Sequence, residues 1–216
     1  MIEEPMVSKR DQEITVNGGT RVDPWFWLRE QEDSETIPYL EAENAYTKEV
    51  MKDTEDLQET LYREMRGRIK EDDESVPVKE GDYYYYTRFE TGGQYRIHCR
   101  KHGSLEGKEE VILDVNALAE GLDYMRVGGC RNSPDHRWLV YSTDADGSEE
   151  YTLHMKDLET GEVLEEEILN TYYSLAWASD NQTFFYSVLN ENHRPVKIYR
   201  HRIGDDPSQD VLIYEE

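Results

Sequence analysis

Cysteine is scarce. Cys99 and Cys130 are the two in 216 residues, and they form no Cys-x-x-Cys pair. That argues against a disulfide framework or a zinc ribbon and for a reducing compartment. Apolar material is also limited, with hydrophobic residues at 37% and a mean hydropathy of −0.89. No apolar run approaches the roughly 20 residues that cross a bilayer. The N-terminus Met1-Ile2-Glu3-Glu4-Pro5 lacks the basic-then-apolar order of a secretory signal. These absences read as a soluble, cytoplasmic protein with no membrane partner. Bases are outnumbered as well: 24 Lys and Arg against 48 Asp and Glu give a formal charge of −24. Such a surface repels phosphate backbones, so nucleic acid is not an expected partner, while cationic peptides suit the field. Acidity kept for solubility is the plainer explanation of the same number.

Catalytic and cofactor signatures are missing too. No serine has the flanking glycines of a Gly-x-Ser-x-Gly elbow in a strand-to-helix context; Gly103-Ser104-Leu105-Glu106-Gly107 comes nearest and reads as a loop between strands. No Walker loop, Gly-x-Gly-x-x-Gly or His-Glu-x-x-His occurs. Asp144-Ala145-Asp146-Gly147-Ser148-Glu149 lacks the third carboxylate and distal Glu of a calcium loop, and reads as a hairpin turn. Ser133, Asp135 and His136 have the residue types of a triad compressed into one turn. The expectation is no catalytic residue, no cofactor and no metal ligand in this chain.

What the chain has in quantity is short strand signals, 16 tyrosines among them. The stretch Asn132–Leu164 alternates turn and strand three times: Ser133-Pro134-Asp135 before Arg137–Thr143, Asp146-Gly147 before Tyr151–Lys156, and Glu159-Thr160-Gly161 before Val163-Leu164. Strands this close in sequence predict an antiparallel meander. The unit recurs. A shift of 45 residues lays Tyr141 on Tyr186, Leu153 on Ile198 and Leu158 on Ile203 without a gap. A weaker copy, Tyr85-Tyr86-Thr87 and Tyr95–His98, lies upstream. A period near 45 built of short strands is the sequence pattern of a β-propeller blade.

In chain order, Glu13–Val16 with Asn17-Gly18 predicts a strand and tight turn. Asp23-Pro24-Trp25-Phe26-Trp27-Leu28-Arg29-Glu30 then concentrates aromatics that are costly to leave in water, so it is a core anchor or an interface. Two helices follow, the first capped by Ser34 and ending near Met51, the second running from Asp53-Thr54 to about Arg68. Their apolar stripes are narrow. The acidic run Glu71–Glu74 marks a change from helical to strand periodicity, which divides the chain into a helical extension, 1–74, and a strand-rich part, 75–216. The latter divides into blades at about 75–120, 121–170 and 171–216. The fold expected is mainly β: an incomplete β-propeller of about three four-stranded antiparallel blades, preceded by an α-helical N-terminal extension.

The segment Asp23–Glu30 resembles the Asp-(Pro/Asp)-aromatic-x-Trp-Leu element near the start of the prolyl oligopeptidase family. Tyr39–Tyr46, Arg66–Asp73, Gly93–Ile97 and Leu113–Asn116 are similar to its oligopeptidase B branch. The resemblance runs from about Val16 to Glu216. It implies a seven-bladed propeller gating a C-terminal α/β-hydrolase domain that carries a Ser-Asp-His triad, and cleavage of short peptides after Arg or Lys. It implies that the helical extension packs on that hydrolase domain through contacts including Trp25 and Trp27. The triad falls outside this sequence, so the chain alone is expected to be inactive. Where many members of the branch carry a basic pair near the interdomain cavity, this sequence has Glu149 and Glu150. That inversion favours cationic substrates, although a plain hairpin tip also accounts for it. The alternative from another class is a self-standing β-meander binding module with no catalytic activity.

Overall fold

The computed structural model describes residues 3–216, which divide after Lys70 into two compact units. In the first, β1 (Gln12–Val16) and β2 (Gly19–Asp23) form an antiparallel hairpin. Asn17 and Gly18 turn it at φ 50° and 79°, the left-handed pair that matches strand twist. A 3-10 turn, Phe26–Arg29, leads to α1 (Thr36–Met51), and a second one, Lys52–Thr54, links α1 to α2 (Glu55–Gly67). Pro38 sits in the first turn of α1, but Ser34 does not cap the helix as its residue type suggests. Glu35 holds the cap position, and Asp33 Oδ1 accepts the Glu35 amide at 3.0 Å. Asp33 prevails because the Arg10 guanidinium fixes its carboxylate at 2.6 Å. The helical stripes stay open: Ile37, Leu40 and Val50 on α1 and Leu57, Leu61 and Met65 on α2 are all exposed.

The second unit is mainly β. β3 (Val78–Glu80), β4 (Tyr83–Arg88), β5 (Ile97–His102) and β6 (Glu109–Asp114) make a four-stranded antiparallel sheet in sequence order. The connection to the next sheet begins with a helical turn, α3 (Val115–Leu118), because Asp114 Oδ1 accepts the Asn116 and Ala117 amides. A seven-stranded sheet follows, again in sequence order and antiparallel: β7 (Arg126–Asn132), β8 (Trp138–Asp144), β9 (Tyr151–Asp157), β10 (Val163–Trp177), β11 (Thr183–Leu189), β12 (Pro195–Arg202) and β13 (Val211–Glu215).

The 45-residue register survives in three dimensions. It carries β8 onto β11 from end to end, β9 onto β12, and β7 onto the second half of β10. β10 is therefore two strands in one. Its first half pairs with β9 as far as Thr171, and its second half pairs with β11 from Thr171 onward. Asn170 at φ 56° marks the joint. The outermost strand of one blade thus runs without a break into the innermost strand of the next.

The core lies between neighbouring blades. Leu139 and Tyr141 point from β8 into a cluster with Ile112, Leu113, Val115 and Met125. Val140, on the same strand, points the other way into a cluster with Leu153, Met155, Ile168, Phe184 and Tyr186. A strand buried on both faces loses the polar alternation of a half-exposed one. Polar bonds add to the packing across this boundary. Lys156 Nζ donates to Ile112 O at 3.0 Å, Tyr85 Oη meets His136 Nδ1 at 2.9 Å, and Arg100 Nη1 donates to His136 O at 2.5 Å.

Candidate functional site

Sheet register places Arg126, Asp144, Tyr151, Thr171 and Val188 in one row at one end of the seven-stranded sheet. The 145–150 hairpin rises from that row. Its shape is set by Asp144, which is 1% exposed. Oδ1 accepts the Asp146 and Gly147 amides at 3.1 and 2.8 Å, and Oδ2 accepts the Glu149 amide at 3.0 Å. The six residues that resembled a calcium loop are thus a hairpin whose buried carboxylate is already engaged by the backbone. Asp144→Ala strands three donors. The expected cost is about 2–4 kcal/mol, read as a lower denaturant midpoint, while Asp144→Asn, which keeps one acceptor, costs less.

Glu149 is forced to φ 64° by this turn, and its side chain pairs with Arg126 Nη1 at 3.2 Å. Both groups are exposed, so the pair contributes no more than about 1 kcal/mol. Glu150 is also exposed and makes no side-chain bond among the described residues beyond those of its backbone. On β10, the Tyr172 and Tyr173 rings lie 4.0 Å apart at a 37° tilt, and Tyr173 meets Tyr151 edge-on at 5.8 Å. Gly128 and Gly129 form a bulge in β7 that brings that strand against β10: a Cβ on Gly129 would lie 2.5 Å from the Tyr173 carbonyl oxygen. Two adjacent glycines in a strand pattern are the sequence signal of such a close approach.

Ser133, Asp135 and His136 are held apart from any triad chemistry. Ser133 is 1% exposed; its Oγ donates to Asp135 Oδ1 at 2.5 Å and accepts the Trp138 amide at 2.9 Å. The His136 ring is turned toward Tyr85. One blade later the same turn recurs with Ala178 in place of Ser133. Asp180 Oδ1 accepts the Gln182 amide as Asp135 Oδ1 accepts that of Arg137, and Asn181 matches His136 at φ 65°. The trio is a blade turn.

In the first unit, Trp27 is 8% exposed, with its indole N–H on Ser8 O at 3.0 Å and the Arg10 guanidinium 4.1 Å from its ring centre. Trp25 is 45% exposed. The aromatic segment divides its labour: Trp27 anchors this unit and Trp25 faces outward. Among the described residues no helix is long and apolar enough to cross a membrane.

Residues 5–216 match the description "Prolyl oligopeptidase, N-terminal beta-propeller domain". The chain belongs to the prolyl oligopeptidase family. Its place in the oligopeptidase B branch rests on solved structures: oligopeptidase B from Leishmania major superposes with a TM-score of 0.88 at 31% identity, covering 99% of this chain and 33% of that one. Oligopeptidase B from Trypanosoma brucei gives 0.87 at 32%, covering 99% and 32%. Among curated relatives, Protease 2 of Moraxella lacunata is 36% identical over 98% of this chain and 32% of its own length. Dipeptidyl aminopeptidase BI of Pseudoxanthomonas mexicana is 39% identical over the same shares. The chain spans about a third of the length of the family members it matches.

Proposed function

We propose that this chain is the propeller-gate portion of an oligopeptidase B-like serine peptidase that hydrolyses short peptides after Arg or Lys in the cytoplasm, and that it has no turnover alone. The family match over nearly the whole chain carries this reading. The missing Gly-x-Ser-x-Gly elbow and the burial of Ser133 in a turn support inactivity of the chain by itself. The partner is a C-terminal α/β-hydrolase domain. Exposed Trp25 and the open stripe Leu57, Leu61 and Met65 suit packing on such a domain, with Trp27 holding Trp25's segment from beneath. Exposed Glu149 and Glu150, on a chain of charge −24, favour entry of cationic peptides.

The test uses a fluorogenic Arg peptide. The chain alone is expected to give no cleavage above buffer. Joined to an oligopeptidase B hydrolase domain, it is expected to cleave after Arg, with kcat/KM falling about ten-fold on Glu149→Lys with Glu150→Lys and the loss shrinking at high salt. Cleavage by the chain alone that a serine-directed inhibitor abolishes would overturn the inactivity. A charge reversal without effect on Arg substrates would overturn the role of the two glutamates.

A further inference from the structure

A cavity of about 370 Å³ in the strand-rich unit is lined by Arg96, His98 and Arg126 together with Phe89, Tyr95 and Met125, and no acidic side chain lines it. In a chain with 48 acids this is a departure that asks for a ligand. The neighbouring carboxylates are already occupied. Glu90 pairs with Arg88 at 2.5 Å, Asp114 caps α3, and Glu149 holds Arg126 in an exposed pair that a ligand exchanges cheaply. Arg96 is exposed, lies 5.6 Å from the centre of the Phe89 ring, and has no carboxylate partner among the described residues.

We propose that this cavity binds the free C-terminal carboxylate of a short peptide, with Arg96 and Arg126 as the anion-binding groups and Phe89 and Tyr95 flanking the terminal residue. Guanidinium forks match a carboxylate in geometry as well as charge. The mixed lining fits a carboxylate carried on an apolar residue better than a bare inorganic anion. The peptidase reading enters only in the choice of a peptide as ligand, and binding is measured without cleavage, so the two ideas fail separately.

His98 supplies an independent readout. Burial, and after it the Arg96 guanidinium, hold its imidazolium below the usual histidine range. On this side it shares the cavity with Arg96 and Arg126; on its other side a second cavity carries Glu80, Cys99, Cys130 and Arg131. A bound carboxylate offsets the arginine charge, so the His98 titration moves upward on binding and the complex takes up protons. Affinity therefore rises as pH falls through the His98 titration, until the ligand carboxylate itself protonates.

Calorimetric titration of the 216-residue chain at low salt with acetyl-Gly-Phe, its C-terminal amide and inorganic phosphate tests the proposal. The acid is expected to bind about ten-fold more tightly than the amide, and more tightly than phosphate. Arg96→Gln is expected to weaken the acid about ten-fold, Arg96→Lys less, with unfolding midpoints unchanged for both exposed-site variants. The His98 ring-proton resonance should titrate at higher pH with the acid present. Equal affinity for acid and amide, tighter binding of phosphate, no binding of any probe, or indifference to Arg96→Gln would each overturn it.

Discussion

Gly129→Ala is expected to lower the unfolding free energy of this chain by about 3 kcal/mol, the upper range for overpacking. The added Cβ would sit 2.5 Å from the Tyr173 carbonyl oxygen and 2.9 Å from Leu175 Cδ2. A backbone carbonyl inside a paired strand cannot move aside as a flexible side-chain tip can. Gly129 N also donates to Ser142 Oγ at 2.6 Å, so a displaced β7 loses that bond as well. The control is Gly67→Ala, at the end of α2, where a new Cβ meets nothing within 4 Å and φ is not positive. There alanine is expected to stabilise by about 0.5–1 kcal/mol, because it restricts the unfolded chain. Opposite signs in chemical denaturation would locate the cost in the contact between β7 and β10. A loss below about 1 kcal/mol at Gly129 would mean that the two strands are not pressed together.

Leu153→Ala and Ile198→Ala form the second pair. The two residues are equivalent in the repeat, at the same place in β9 and β12, but Leu153 is 0% exposed and Ile198 is 39% exposed. Truncating Leu153 leaves a cavity between Val140, Met155 and Phe184, and the expected loss is about 3–4 kcal/mol. Truncating Ile198 is expected to cost less than about 1 kcal/mol. Equal losses would show that the face of β12 is covered by something the buried areas do not reveal.

The same pair shows how far the sequence could be read. Strand positions, turn positions and the blade period all follow from local chemistry. Pro134 with Asp135, Asp146-Gly147 and Thr160-Gly161 punctuate the chain, and the shift of Tyr141 onto Tyr186 survives as β8 onto β11. Burial does not follow, because it depends on which sheet lies against which. Nothing local distinguishes Leu153 from Ile198. The helix cap failed for a related reason. Ser34 is a good cap by type, but Asp33 was already positioned by Arg10, twenty-three residues away.

The candidate site was legible to a lesser degree. Glu149 and Glu150 could be singled out on the chain, but the pairing of Glu149 with Arg126, twenty-three residues away, required the register that sets β7 against β8. The Arg96–Arg126 cavity was not legible at all, since its two arginines lie thirty residues apart, one just before β5 and the other at the start of β7, strands of different sheets. By itself the sequence determined an acidic, cysteine-poor β-meander of 45-residue period, with helices before it and no catalytic elbow within it. Turn propensity, alternation and net charge act through near neighbours or through sums, and both can be read along a line. Only the tertiary structure decided that Ser133 is a buried turn cap, that β10 serves two blades, and which charged groups share a cavity. Those depend on contacts between residues that the chain brings together after its local structure has formed.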